Sequence, residues 1–100
     1  MKISIITATY NSISTVENCL SSVIEQTYKN IDHVVIDGLS TDGTLNFLKK
    51  NSKYISTLIS QPDNGIYDAM NKGIGLAKGD VIGFLNSDDF YANNKIIERV

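Results

Sequence analysis

Four short apolar segments alternate with three segments of helical periodicity, and this alternation constrains the fold more than any other feature. The apolar segments have the character of buried strands and cover residues 2–8, 33–37, 55–60 and 81–85. The segments with apolar residues at helical spacing lie between them, at residues 14–26, 45–50 and 66–77. Ser14 and Glu17 have capping-box spacing, which predicts the start of the first helix. The sequence therefore predicts an α/β, Rossmann-like fold of three layers (αβα), with a mainly parallel sheet in the strand order 3-2-1-4.

Size and charge exclude several classes of protein. A chain of 100 residues is expected to form one domain. Its net charge of -2 argues against a nucleic-acid partner and against a polybasic membrane patch. No apolar run approaches the roughly 20 residues of a spanning helix, and the N-terminus lacks signal-peptide features. The single cysteine, Cys19, excludes an internal disulfide framework, and these features together predict a cytoplasmic protein.

Polar side chains follow three of the predicted strands at the point where each strand ends. The run from Thr9 to Asn11 follows strand 1, Asp37 closes strand 2, and Asp88 and Asp89 lie just beyond strand 4. In an open parallel sheet, ligands bind outside the carboxyl ends of the strands, at the switch point in strand order. Strands 1 and 4 flank that point, so the sequence predicts a binding site there.

The adjacent carboxylates of Asp88 and Asp89 are the sharpest local feature of the predicted site. Two neighbouring carboxylates repel each other, so a nearby cation stabilises them. Their oxygens are hard ligands that suit Mg²⁺ or Mn²⁺. The alternative is a solvated acidic turn before a helix, which is the commoner fate of such a pair. Their position after the switch-point strand favours the metal site.

Of the other candidate residues, Asp37 and Lys72 keep two interpretations each. Asp37 either caps the turn from Gly38 to Ser40 or accepts a hydrogen bond from a base or ribose hydroxyl. Lys72 either reaches a phosphate or is a solvated lysine on a helix face. His33 stands alone at a strand start and is interpreted as structural. Cys19 is interpreted as a small buried residue.

Four motifs in series resemble family 2 glycosyltransferases of the GT-A fold. They are residues 5–11 (IITATYN), 36–44 (IDGLSTDGT), 62–73 (PDNGIYDAMNKG) and 84–89 (FLNSDD). The resemblance covers essentially the whole chain, and the third motif looks most like bacterial transferases that build O-antigen, capsule or other exopolysaccharide. Many relatives carry a second aspartate where this chain has Gly38, and another where it has Asn86.

The resemblance implies a nucleoside diphosphate sugar as the ligand, with a UDP-sugar favoured. By position, Ala8, Thr9 and Tyr10 would border the base and the ribose. Asp37 would lie near the base.

The resemblance also implies residues for the diphosphate and the metal. Asp88 would contact the ribose or diphosphate region, and Asp89 would hold the divalent metal, Mn²⁺ or Mg²⁺. Asp63 and Lys72 would lie along the nucleotide side of the cleft.

Residues 1–100 would then form the nucleotide-diphospho-sugar-binding part of a truncated GT-A domain, without the acceptor-binding half. The implied reaction is sugar transfer with inversion, to a saccharide or lipid-linked acceptor bound by the full protein. The catalytic base would lie downstream, so the chain is expected to bind donor without turnover. The family resemblance also implies peripheral association with the inner face of the membrane.

Three alternatives compete with this interpretation. A nucleotidyltransferase uses a related sheet, but usually has a glycine- and basic-rich loop after strand 1. A signalling receiver domain needs its acidic pair after strand 1, whereas the pair here follows strand 4. A folded fragment without ligand would expose the edge of strand 4, which predicts self-association through that edge.

Overall fold

The structure, a computed structural model, describes residues 1–62 and 65–87. Its strands are β1 (Ile3–Thr9), β2 (Ile31–Asp37), β3 (Thr57–Ser60) and β4 (Val81–Phe84). Its helices are α1 (Val16–Ile24), α2 (Thr44–Lys50), a short 3-10 helix (Ser52–Tyr54) and α3 (Ile66–Leu76). None of the helices in these ranges is long and apolar enough to cross a membrane.

The four strands form one parallel sheet in the order β3-β2-β1-β4, which confirms the predicted topology. β1 lies in the middle and pairs with β2 over its whole length, so that Thr9 stands beside Asp37 at the carboxyl edge. On its other side β1 pairs with β4 as far as Ile6 and Phe84. The reversal of strand order between β1 and β4 is the switch point at which ligands of such sheets bind.

Side chains of the two central strands alternate between two apolar layers, because successive residues of a strand point to opposite faces. On one face, apolar residues of β1 and β2 pack against α1 and α2. The strand residues are Ile3, Ile5 and Val35, and the helix residues are Val16, Cys19, Leu20, Val23 and Leu48. On the opposite face, Ile6, Val34 and Ile36 pack against Ala69 of α3. The sheet is therefore the middle of three layers, as predicted, and Cys19 is buried as expected.

The predicted capping box at the start of α1 is wrong. The helix begins at Val16 with Thr15 as the N-cap residue, and no side chain caps it. The carbonyl of Ser12 instead accepts hydrogen bonds from the backbone N–H groups of Thr15, at 3.0 Å, and Val16, at 2.8 Å. A turn of the preceding loop thus satisfies two backbone donors at the start of the helix.

The third strand is shorter than predicted. β3 begins at Thr57, and the preceding residues form the 3-10 helix Ser52–Tyr54. The backbone N–H of Ile55 completes this turn with a 3.1 Å hydrogen bond to Ser52. The apolar side chain of Ile55 is still buried, against the α1 and α2 face, which is why it carried a strand-like signal.

α3 packs closely on β1 at Gly73, which has no side chain. A Cβ atom at this position would lie 2.3 Å from Cγ2 of Ile6 and 3.2 Å from its Cδ1. Ile6 is almost fully buried, and its branched side chain has little freedom to move aside. Gly75, on the same helix, has nothing within 4 Å of its ideal Cβ position.

We expect the two glycines to respond in opposite directions to alanine. Gly73→Ala should lower the free energy of unfolding by about 1–3 kcal/mol, because it overpacks the contact between α3 and β1. Gly75→Ala should raise it by up to about 1 kcal/mol, because alanine favours the helix and meets no neighbour. Urea denaturation followed by circular dichroism measures both. Equal changes in the two variants would contradict the close packing at Gly73.

Candidate functional site

The carboxylate of Asp37 is the centre of the carboxyl edge and is fully buried. Its Oδ1 accepts hydrogen bonds from the hydroxyls of Thr9, at 2.7 Å, and Ser40, at 2.6 Å. Its Oδ2 accepts hydrogen bonds from the backbone N–H of Ser40, at 2.9 Å, and the hydroxyl of Ser60, at 3.0 Å. Asp37 therefore caps the turn that follows β2, and it joins the ends of β1, β2 and β3. A direct contact with a base stays a prediction.

The three residues predicted to border the nucleoside differ in what they expose. Thr9 is buried and its hydroxyl is held by Asp37, and Ala8 is partly buried. Tyr10 is 66% exposed at the start of the loop that follows β1. Of these three residues, Tyr10 offers by far the most surface to a ligand.

The loops after β1 and β2 are bound to each other by reciprocal hydrogen bonds. The backbone N–H of Asn11 donates to the hydroxyl of Ser40, at 2.9 Å, and the amide oxygen of Asn11 accepts from the backbone N–H of Thr41, at 2.8 Å. Asn11 and Leu39 both have positive φ, of 46° and 59°. This left-handed backbone is easily tolerated by asparagine, but it costs a leucine about 1–2 kcal/mol. The two loops therefore form one connected surface beside Tyr10, and part of it is strained.

Asp42 strengthens this connection from the second loop. Its Oδ1 accepts hydrogen bonds from the hydroxyl of Thr44, at 2.5 Å, and from its backbone N–H, at 3.0 Å, while its Oδ2 accepts from the backbone N–H of Ile13, at 3.1 Å. The hydroxyl of Thr44 is the main cause that lowers the pKa of Asp42 below its ordinary value, and the N–H donors act in the same direction. Asp42 is thus held ionised as a structural link between the loops.

The segment that follows β4 is held first by the backbone N–H of Leu85, which donates to the carbonyl oxygen of Ile6, at 3.0 Å, and then by two contacts further along. The hydroxyl oxygens of Ser12 and Ser87 are 2.7 Å apart, and the thiol of Cys19 donates to the carbonyl oxygen of Asn86, at 3.5 Å. Ser87 is buried. The predicted metal and diphosphate residues Asp88 and Asp89 come next in the chain and lie outside the described residues, so the structure shows only how the segment before them is anchored.

Lys72 lies beside the loop that follows β3. Its Nζ donates to the carbonyl oxygen of Pro62, at 2.7 Å, and lies 3.3 Å from a carboxylate oxygen of Asp68 on the preceding turn of α3. The predicted nucleotide-side residue Asp63 follows Pro62 and lies outside the described residues. The ammonium group of Lys72 is therefore held near the start of α3 rather than extended into solvent.

His33 lies away from this edge and is structural, as interpreted from the sequence. Its Nε2 lies 2.9 Å from the hydroxyl of Thr7, and its Nδ1 is buried without a hydrogen-bond partner in the part of the chain that the structure describes. Burial lowers the pKa of His33 to about 4, against the opposing influence of Asp32. The ring is therefore neutral at neutral pH, inside the layer between the sheet and α1.

Sequence reasoning missed the hydroxyl residues that build the site. Ser12, Ser40, Ser60 and Thr44 all bind side chains or backbone of other elements. The available signal was that small hydroxyl residues come within a few positions of the ends of β1, β2 and β3. Among the described residues, no group of three or more acidic, histidine or cysteine side chains is placed to hold a metal ion.

We expect Asp37→Ala to lower the free energy of unfolding by about 2–4 kcal/mol, because buried donors lose their acceptor. Asp37→Asn should lower it less. Its amide oxygen can still accept from the N–H of Ser40, and its NH₂ group can face the Thr9 and Ser40 hydroxyls, which can turn to accept. Glu17→Gln, at an exposed carboxylate of α1, is the control and should change stability by about 0.5 kcal/mol or less. If urea denaturation finds Asp37→Asn less stable than Asp37→Ala, this hydrogen-bond assignment is contradicted.

Comparison with known proteins identifies the family. The family model described as Glycosyl transferase family 2 matches residues 4–100. The uncharacterized glycosyltransferase Rv1514c of Mycobacterium tuberculosis is 36% identical over 98 residues, which are 97% of this chain and 37% of that protein. WfaP of Escherichia coli, named a UDP-Glc:alpha-D-GlcNAc-diphosphoundecaprenol beta-1,3-glucosyltransferase, is 35% identical over 99 residues, which are 98% of this chain and 39% of that protein.

A solved structure shows the same fold. TarS 1-349 of S. aureus, crystallised in complex with UDP-GlcNAc, superposes with a TM-score of 0.89 at 28% identity, over 99% of this chain and 30% of that chain. The chain thus spans well under half the length of the relatives it matches. Its parallel sheet in the order 3-2-1-4 is that of the GT-A fold, as predicted. The chain belongs to glycosyl transferase family 2.

Proposed function

We propose that this chain is the donor-binding part of a glycosyltransferase that takes a nucleoside diphosphate sugar with a divalent metal. The observation that carries the proposal is the arrangement at the switch point. The loops after β1 and β2 form one connected surface, and the segment leading to Asp88 and Asp89 is hydrogen-bonded to the first of them through Ser12. The proposed process is bacterial surface polysaccharide synthesis, because WfaP is named for transferring a sugar to GlcNAc-diphosphoundecaprenol.

On the nucleoside side, the exposed ring of Tyr10 offers a face on which a base can stack. Ala8 and Thr9 form the floor beside it. Asp37 acts near the base by holding the hydroxyls of Thr9 and Ser40 in place. A UDP-sugar is favoured because WfaP is named for UDP-Glc and TarS was crystallised with UDP-GlcNAc.

On the diphosphate side, Asp88 contacts the ribose or diphosphate, and Asp89 holds Mn²⁺ or Mg²⁺. Carboxylate oxygens suit these hard cations, which complete their shell with phosphate oxygens and water when a protein supplies few ligands. The bound metal would supply Lewis-acid stabilisation of the leaving diphosphate. Asp63 and Lys72 would lie along the nucleotide side of the cleft. Lys72 is already held by Pro62 and Asp68, so it would contribute positive charge from a fixed position.

The proposed reaction is sugar transfer with inversion at the anomeric carbon, and a carboxylate downstream of these residues would deprotonate the acceptor hydroxyl. The acceptor, a saccharide or a lipid-linked sugar, would bind to the rest of the full protein at the cytoplasmic face of the membrane. Residues 1–100 alone would therefore bind donor without turnover. Sugar transfer by the purified chain would overturn that part of the proposal.

We expect UDP to bind this chain with a dissociation constant of about 1 μM to 1 mM in the presence of Mn²⁺, as measured by titration calorimetry. Binding should weaken without Mn²⁺, and Asp89→Ala should remove the dependence on the metal. Glu17→Gln removes an exposed carboxylate from α1 and should leave both affinities unchanged.

Two results would contradict the proposal. Metal-independent binding, or Mn²⁺ dependence that survives Asp89→Ala, would remove Asp89 from the metal site. Stronger binding of UTP than of UDP would favour the nucleotidyltransferase alternative. Binding of GDP in place of UDP would support the proposed site but show that the preferred base is guanine.

Self-association through β4 also stays a proposal. Ile82 and Phe84 of this strand are 39% and 47% exposed, and both project from the sheet face that α3 covers at β1 and β2. Exposed apolar side chains on a strand favour pairing with another chain. We expect light scattering at high protein concentration to detect dimers, which Phe84→Lys should weaken; a strictly monomeric chain would contradict the proposal.

A further inference from the structure

Ser12 lies between the two halves of the proposed donor site and contacts both. Its hydroxyl donates to the carbonyl oxygen of Tyr10, at 3.1 Å, on the nucleoside side. The same oxygen lies 2.7 Å from the hydroxyl oxygen of Ser87, which directly precedes Asp88 and Asp89 in the chain. Because the carbonyl oxygen of Tyr10 can only accept, both contacts are satisfied together when Ser87 donates to Ser12 and Ser12 donates to Tyr10. The chain of hydrogen bonds therefore runs from Ser87 through Ser12 to Tyr10.

The backbone of Ser12 is fixed independently of its side chain. Its N–H donates to the hydroxyl of Thr44, at 2.8 Å, and Thr44 is fully buried and bonded to Asp42. Its carbonyl oxygen accepts the N–H groups that begin α1. A backbone held by two other elements cannot easily shift, so Ser12 acts as a fixed point for the residues that its side chain binds.

Ser87, on the metal side of the proposed site, is also held in place. It is 9% exposed, and the residue before it, Asn86, accepts a hydrogen bond from the thiol of Cys19 through its carbonyl oxygen. The start of the acidic segment is thus held at two successive residues, both times by the chain between β1 and the middle of α1. The contact between Ser12 and Ser87 joins residues 75 positions apart, and it ties the proposed metal-binding segment to the loop that carries Tyr10.

We propose that Ser12 is a positioning residue that couples the nucleoside side of the site to the metal side, through its hydrogen bond with Ser87. The inference rests on the proposed function. Ser12 contacts no ligand itself; it holds the acidic segment in register with the loop that carries Tyr10. Coupling between two binding events is reciprocal, so the metal strengthens nucleotide binding as much as the nucleotide strengthens metal binding.

The test measures two affinities in each of three variants, Ser12→Ala, Ser87→Ala and the double variant. UDP is titrated without metal, and Mn²⁺ is titrated at a fixed concentration of UDP. We expect the half-saturating Mn²⁺ concentration to rise about fivefold in each single variant, the effect of one neutral hydrogen bond, while metal-free UDP affinity stays within about twofold. In the double variant this concentration should also rise only about fivefold, rather than by the product of the two single changes, because the two hydroxyls act through one contact.

Two control variants separate positioning from a general loss of structure. Ser14→Ala removes an exposed hydroxyl from the same loop and should leave both affinities unchanged. Ser87→Thr retains a donor hydroxyl and should restore Mn²⁺ affinity relative to Ser87→Ala. Urea denaturation of every variant confirms that each is folded under the titration conditions.

The outcomes distinguish this inference from the proposed function. If the wild-type chain binds UDP with Mn²⁺ and Ser12→Ala leaves the half-saturating Mn²⁺ concentration unchanged, the coupling alone is overturned. Parallel loss of metal-free and metal-dependent binding also overturns it, because a merely structural role would weaken both. Wild-type chain that is folded and binds no nucleotide with Mn²⁺ overturns the proposed function, and the coupling with it.

Discussion

The buried carboxylate of Asp37 is the interaction around which the carboxyl edge is organised. A charge removed from water costs several kcal/mol unless donors surround it, so the fold must supply hydrogen bonds to both oxygens. It does so from the ends of β1 and β3, through Thr9 and Ser60, and from the turn after β2, through Ser40. The position of three strand ends is therefore set by one group. These hydrogen bonds also position the exposed surface beside Asp37, which includes Tyr10.

The carboxyl edge is built in two parts that meet at the loop after β1. One part is the cluster around Asp37, which is joined to the loop by Asn11 through Ser40 and Thr41. The other is the segment after β4, which is joined to the loop by Ser12 through Ser87. Because β1 lies between β2 and β4, its loop can contact the ends of both neighbours across the switch point. A ligand that spans the switch point would contact residues whose positions depend on this single loop.

Much of the fold and part of the site could be predicted because their causes are local. The four strands and the three α-helices were predicted from their own apolar periodicity, and the strand order followed from the crossover rules. The turn capped by Asp37 was one of two roles open to that residue, since an aspartate commonly bonds to backbone two or three positions on. The capping box predicted at Ser14 was wrong because the helix begins only at Val16, after a turn in the preceding loop. The carbonyl of Ser12 already bound the first N–H groups of α1.

The sequence by itself determined the type and order of the elements, the placement of Asp37 at a strand end, and the membership of the family, because these depend on periodicity and on residues close together in the chain. Only the tertiary structure decided that Asp37 binds Ser60, that Gly73 meets Ile6, and that Ser12 meets Ser87. These contacts join residues far apart in the chain, and no local pattern carries them. They form because a parallel sheet brings the carboxyl ends of distant strands to one edge, where buried polar groups must find partners.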